Sequence, residues 1–360
     1  AGSLIDVQGG TFVGSSNSNE VWTNNLSSLN IATGAVFGGA EGNIRVDALT
    51  GAGALSTGYN ASGSITVGVN GTAAGTYNTT AGSATFSGII SSSTSNASVT
   101  SLSKSGAGTQ ILTGGNSYQG ITSISAGTLQ IGNAGTTGLI GTGAVTLSNN
   151  ANLNFVRATA TTISNDINGT GNLNATITGI NSDLTLSGTT NITGAVAATA
   201  TGSILTTTSK NISTTTGVSL AAQNNVALNA DISNSTSGAI NISAGNNSTT
   251  STATITAAAG TTITQNAAAA VTMTTDALGD LTVAKIVKGT GAGDITVAAG
   301  IKLAAGAAGG DVKTIIGNAI TNNGTGKTLI YTGSSAESGL MSNLNGALAT
   351  LYLNNIAGHT

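Results

Sequence analysis

From Lys104 to Gly132 short alternating runs follow one another with Gly and Asn at every corner. Thr109 to Thr113 and Thr128 to Ile131 read as two strands, and a third lies around Ile121 and Ile124. Strict alternation gives each run a single inward face. A run this short cannot bury that face alone, but neighbours stacked at a fixed interval can. Equivalent positions recur after about twenty residues, the length of one coil of a β-solenoid. The expected fold is therefore all-β, an elongated parallel β-helix wound from small coils.

Composition agrees with thin coils. Only 6% of the 360 residues are charged, far below the roughly 25% of an ordinary domain. Thr, Ser, Asn, Ala and Gly stand in their place. Disorder goes with low hydrophobicity and high net charge, whereas this chain is 39% apolar with a net charge of −3. A membrane-spanning helix needs about 18 apolar residues in a row, and the longest candidate, Ala267 to Met273, is much shorter. Aromatic residues are 3% of the chain, so the core is thin and filled by Ile, Leu, Val and Ala. The 53 Gly and the many Asn supply left-handed corner conformations. With no Pro, every backbone N–H is available to a neighbouring coil. With no Cys, no disulfide can form.

Two textures divide the chain at residue 157. Residues 1–157 carry the alternating runs, among them Ser64 to Val69 and Ala84 to Ile90, and close at Leu153 to Phe155. In residues 158–360 paired apolar beats recur, for example Leu184 and Leu186, Val226 and Leu228, and Ile240 and Ile242. Their spacing lines up columns of Ile, Leu and Val in stacked coils, with Asn and Thr ladders outside. The two parts are expected to form one continuous rod. At about 20 residues and about 4.8 Å per coil, that rod has roughly 18 coils. Leu340, Leu344, Leu348 and Leu351 depart from this rhythm with helical spacing and predict a short helix near the C-terminus. The abrupt ends, Ala1-Gly-Ser and Gly358-His-Thr360, predict a fragment or repeat unit of a larger protein.

The run 102–132 resembles the passenger-associated repeat of bacterial autotransporters. Leu102, Lys104, Gly106, Gly108, Thr109, Leu112, Gly114, Asn116, Tyr118, Gly120, Thr122, Ile124, Gly127, Thr128 and Leu129 fall on its pattern, while Gln110 stands where an apolar residue is usual. The segments 220–232 and 319–333 resemble filamentous-haemagglutinin-like exoproteins of two-partner secretion. These resemblances imply a right-handed parallel β-helix, a Gram-negative source, export through an outer-membrane β-barrel transporter, and an extracellular or outer-membrane-associated location. The 319–333 segment tips the expected route towards the exoprotein class.

Catalysis is not expected. The single His, His359, ends the chain, so a Ser-His-Asp triad would need that end to fold back. Thiol chemistry and thiolate metal sites lack Cys. The twelve acids are scattered singly, with only Asp276 and Asp280 close in sequence, and Arg occurs only as Arg45 and Arg157. A polysaccharide-cleaving groove would bring acids and bases together. Gly289 to Val297 bears a loose likeness to a calcium-binding nonapeptide, too loose to name a metal ligand. No catalytic, cofactor or metal residue is therefore assigned. No basic patch offers a grip on nucleic acid. Trp22, Tyr59, Tyr77, Tyr118, Tyr331 and Tyr352 either stack on sugars or anchor turns, and their place beside Gly and Asn favours turns.

The expected function is that of a structural or adhesive fibre segment, active in cell–cell or cell–surface adhesion or biofilm matrix. Its expected partners are the exporting barrel, other copies of itself and surface or matrix polysaccharide. The alternatives are a passive stalk for a toxin or adhesin, a subunit of a surface filament or sheath, and a polysaccharide-acting enzyme.

Overall fold

A computed structural model describes residues 3–13, 24–39, 42–57, 62–68, 82–93, 98–245, 251–276, 278–283, 285–301, 310–314, 320–332, 344–346 and 349–353. The chain is a parallel β-solenoid, as the alternation requires, and it divides into two compact units. The first comprises residues 1–158 and 165–174, the second 159–164 and 175–360.

In the first unit one face is built from Leu4–Val7, Ser28–Ile31, Leu49–Gly51, Ser83–Phe86, Thr109–Leu112, Thr128–Gly135 and Asn152–Arg157, in that order. A second face carries Ile44–Val46, Gly63–Val67, Thr100–Lys104, Thr122–Ile124, Val145–Leu147 and Ile167–Gly169. A third holds Thr11–Val13, Val36–Gly39, Ala54–Thr57 and Ile89–Ser92. Beyond Ser92 the first unit has no third-face strand among the described residues.

The second unit has three faces throughout. Val196–Ala200, Val218–Ala222, Ile240–Ala244, Val271–Thr275 and Ile295–Ala298 follow one another on the first. Ile212–Thr214, Ile232–Asn234, Thr262–Gln265, Lys285–Lys288 and Ile320–Asn322 lie on the second. Leu184–Leu186, Ile204–Thr206, Val226–Leu228, Ile255–Ala257 and Leu281–Val283 lie on the third. Registered pairing turns the inward residues into columns. Val196, Val218, Ile240, Val271 and Ile295 stack on one another, and so do Ala198, Leu220, Ile242, Met273 and Val297. All ten are buried. Each Val, Leu, Ile or Met side chain so covered contributes about 1.5–3 kcal/mol.

The acids and many Asn residues serve at the corners. Asp183 accepts from Ser203 N at 2.6 Å, Asp231 from Thr262 N at 2.8 Å, Asp280 from Asp311 N at 2.9 Å and Asp294 from Lys327 N at 2.7 Å. Asn225 does the same for Thr254 N at 2.8 Å. Each of the five immediately precedes the first residue of a strand and caps the next coil. Each such corner takes one short acceptor, so these acids stand singly before their strands.

Two expectations need correction. Coil length is not fixed near twenty: Thr109 pairs with Thr128, but Gly51 pairs with Phe86. The described residues place 15 strands on the first face, fewer than the eighteen coils a constant length would give, because the corner connections vary in length. The helix at the C-terminus is also overturned. Leu344–Gly346 and Ala349–Leu353 are strands, with Leu344 opposite Ile320 and Leu351 opposite Ile330. These strands belong to different faces, so Leu344 and Leu351 do not share a helix face. Leu340 and Leu348 lie outside the described residues. No helix among the described residues is long and apolar enough to cross a membrane.

Candidate functional site

The pattern residues of 102–131 build two successive coils held by buried polar side chains. Thr100–Lys104 ends at the corner between the second and first faces, where a bulky apolar side chain would leave the turn carbonyls unpaired. Lys104 is fully buried there. Its Nζ donates to Ser105 O at 2.6 Å, Gly106 O at 2.7 Å and Ala126 O at 3.2 Å. Burial pushes its pKa down to about 8, while buried Asp47 acts in the opposite sense. Gly127 closes the corner above at φ +63°, where an added Cβ would run into Gly108 O. The lysine is thus a clasp across two coils.

Gln110 explains its own departure from the repeat pattern. It occupies an inward position of Thr109–Leu112 and is fully buried. One coil further down, the Leu49–Gly51 and Ser83–Phe86 strands pair only at Gly51 and Phe86. Leu49 therefore lacks a backbone partner on that side. The Gln110 amide reaches past small, buried Ala84: Nε2 donates to Leu49 O at 2.9 Å and to Ala84 O at 3.2 Å, and Leu49 N donates to Oε1 at 3.1 Å. A primary amide carries the C=O acceptor and N–H donor of a peptide unit and one further N–H. The side chain takes the place of a missing rung.

Asn116 repeats this device on the third side. Ile90 N donates to its Oδ1 at 2.8 Å and its Nδ2 donates to Leu139 O at 2.7 Å, joining the coil below to the coil above. Alternation of buried and exposed residues continues from Gly114 to Thr122 although no named strand forms there until Thr122–Ile124. The backbone of this irregular segment still lies over Ile89–Ser92, Ser117 N donating to Ile90 O at 2.9 Å, and Tyr118 points inward from it. It is fully buried, its hydroxyl 2.7 Å from Thr122 Oγ1. Burial raises its pKa to about 12. A Cβ on Gly141 would collide with its ring, so the next coil lies directly on it. Arg157 finishes this region, its guanidinium donating to Thr136 O at 2.9 Å and to Gly138 O.

These positions settle the two roles weighed for the tyrosines at one site: Tyr118 anchors a coil and is closed to any sugar. Tyr331 is also buried. Trp22, Tyr59, Tyr77, Glu20, Glu41, Glu337 and His359 lie outside the described residues, and Tyr352 is placed only as a strand residue. Among the described residues no group of three His, Cys, Asp or Glu side chains could hold a metal. In the Gly289 to Val297 stretch, Asp294 Oδ1 is engaged by the backbone of Lys327. Asp280 pairs with Lys313 at 2.7 Å, which with the Asp311 N–H holds its pKa below the usual carboxylate range despite burial. Sequence reasoning missed the inward turn of Lys104 and Gln110 and the burial of Asp47. The Ala84 that makes room for Gln110 is visible in sequence, but only the register shows that the two meet.

The second unit treats the same corner differently. Thr214, Asn234, Gln265, Lys288 and Asn322 form one registered column at the ends of the second-face strands, and all are buried. Asn234 Nδ2 donates to Gln265 Oε1 at 3.0 Å and to Ser237 O at 2.7 Å, and Thr214 donates to Asn234 Oδ1 at 3.1 Å. Among the described residues Lys288 reaches Gly291 O alone, at 3.4 Å.

No curated protein and no solved structure matches this chain. Residues 102–131, the segment that carries the Lys104, Gln110, Asn116 and Tyr118 arrangement, match the passenger-associated-transport-repeat family. That repeat within a parallel β-solenoid makes the chain similar to the β-helix of an autotransporter passenger.

Proposed function

We propose that this chain is an extracellular adhesive segment, exported across an outer membrane through a β-barrel partner and wound into its solenoid outside. The passenger-associated repeat at 102–131 is the observation that carries this reading. The construction suits it. Each coil rests on its neighbours, so winding can proceed as residues emerge, and without Cys or Pro neither disulfide formation nor prolyl isomerisation delays it. The resemblance of 319–333 favours two-partner export over a chain joined to its own barrel.

Work by surface rather than by catalysis fits the use of the acids. Asp183, Asp231, Asp280 and Asp294 each hold a backbone N–H of the following coil. With 6% charged residues, little electrostatic repulsion opposes approach to a cell, a matrix or another copy. The test is saturable, competable binding of the purified 360-residue chain to bacterial cells, together with its display on intact cells. Binding that saturates supports adhesion. A displayed chain that binds no cell, matrix or copy of itself would make the segment a passive stalk, and retention inside the cell would remove the export reading.

A further inference from the structure

The second unit has a groove where the third face turns into the second. Three consecutive coils meet there with connections of unequal length. Five residues join Ile204–Thr206 to Ile212–Thr214, three join Val226–Leu228 to Ile232–Asn234, and four join Ile255–Ala257 to Thr262–Gln265. The short middle connection is recessed between two longer ones. The result is an open groove of about 310 Å³, with Thr208, Ser209 and Asn211 on one wall, Ala259, Gly260 and Thr261 on the other, and Asn229, Ala230 and Asp231 as its floor.

The floor is fixed by bonds to neighbouring coils. Asn229 Nδ2 donates to Thr206 O at 2.9 Å, and Asn229 N donates to Thr206 Oγ1 at 2.8 Å. Asp231 N donates to Asn211 Oδ1 at 3.2 Å, and Asp231 Oδ1 accepts from Thr262 N at 2.8 Å. These bonds leave Asp231 Oδ2 and Asn229 Oδ1 as acceptors and Asn211 Nδ2 as a donor, beside the hydroxyls of Thr208 and Ser209. Preorganised groups of this kind bind without a large ordering cost.

The lining selects among ligand classes. No Lys, Arg or His lines the groove and a carboxylate lies on its floor, so an anion is disfavoured. One carboxylate is too few for a tight calcium site, which takes 6–8 oxygen ligands. An apolar ligand would leave the amides and the carboxylate without partners. A neutral polyol meets every condition, since its vicinal hydroxyls both donate and accept, and Ala259 and Gly260 leave room for a ring's C–H face. The volume lies near the lower end of small-molecule sites.

We infer that this groove binds a neutral saccharide of one or two pyranose rings, an assignment that rests on and deepens the adhesive reading. The test titrates the full chain with methyl glycosides of glucose, galactose, mannose and N-acetylglucosamine and their disaccharides, read by ligand-observed NMR and calorimetry. D231N keeps the Oδ1 cap and changes only the other atom, and A259W fills the groove from an exposed position. Saturable binding that weakens about tenfold or more in D231N and disappears in A259W supports the site. No binding by any of these sugars, binding that ignores both substitutions, or saturable binding of Ca²⁺ alone at this groove overturns it. Cell binding separates the two claims. If wild type and A259W bind cells equally, adhesion stands without the groove, whereas if neither binds, the adhesive reading itself fails.

Discussion

The coils around residues 100–147 and those between 196 and 298 close the same kind of thin core with different materials. In the later coils three strands per turn stack aliphatic residues in register, and a single polar column runs up one corner. In the earlier coils the third side carries an irregular segment in place of a regular strand, and single polar side chains supply bonds that the backbone does not. Gln110 and Asn116 act as rungs, Lys104 as a clasp and Tyr118 as the core side chain of the irregular third side. A stack of repeated columns spreads its stability over many similar contacts. A stack held by unlike plugs concentrates it in a few, and the substitutions that matter should be correspondingly few.

Tyr118→Ala should have the largest effect. Removing a fully buried aromatic side chain costs about 3–5 kcal/mol. Thermal or urea unfolding followed by peptide-resolved proteolysis should show the loss confined to the first unit, and equal loosening of residues 196–298 would break the contrast. Gln110→Leu, which restores the usual apolar residue of the repeat, should destabilise by about 2 kcal/mol because Leu49 N–H and C=O lose their partner. A stabilised variant would mean that apolar filling outweighs the missing rung.

The two buried lysines sharpen the comparison. Lys104 serves three carbonyls and Lys288 one distant carbonyl. Lys104→Met should cost about 2 kcal/mol and Lys288→Met close to nothing. Equal costs in chemical denaturation would show that position, not bonding, sets their worth.

pH separates the same groups. Lys104 falls from 10.5 to about 8 on folding, so the unfolded chain binds more protons between those values. Its titration should therefore raise stability as pH climbs from about 8 to 10.5. Tyr118 rises from 10.0 to about 12, so the folded chain keeps its proton and stability should fall across that interval. Lys104→Met should abolish the rise and Tyr118→Phe the fall in a pH series of unfolding midpoints. The caps contribute little: Asp183→Ala should cost about 1 kcal/mol or less in chemical denaturation, since its bond to Ser203 N is solvent-exposed.

Alternation and corner residues made the strands legible because inward apolar positions repeat at period two on any β surface. The acids before strands at Asp183, Asp231, Asp280 and Asp294 could also be read, as an acceptor followed by an alternating run. Coil number could not, since it depends on how much chain each corner takes up. The leucine spacing near the C-terminus misled because Leu344 and Leu351, seven residues apart as on two helical turns, belong to strands on different faces. Gln110 looked like a lapse in the repeat until the broken pairing between Leu49 and Ala84 gave it a task. The groove at Asp231 was invisible for a similar reason: it arises from unequal connections in three coils, a relation between segments rather than a motif in one.

Peptide-resolved hydrogen exchange of the intact chain tests most directly whether polar plugs replace a columnar core. Amides in 100–131 should exchange as slowly as those in 196–244, and Gln110→Leu should release the neighbourhood of Leu49 first. Rapid exchange throughout 100–131, with 196–244 still protected, would show that these buried polar groups do not hold the passenger-type coils together.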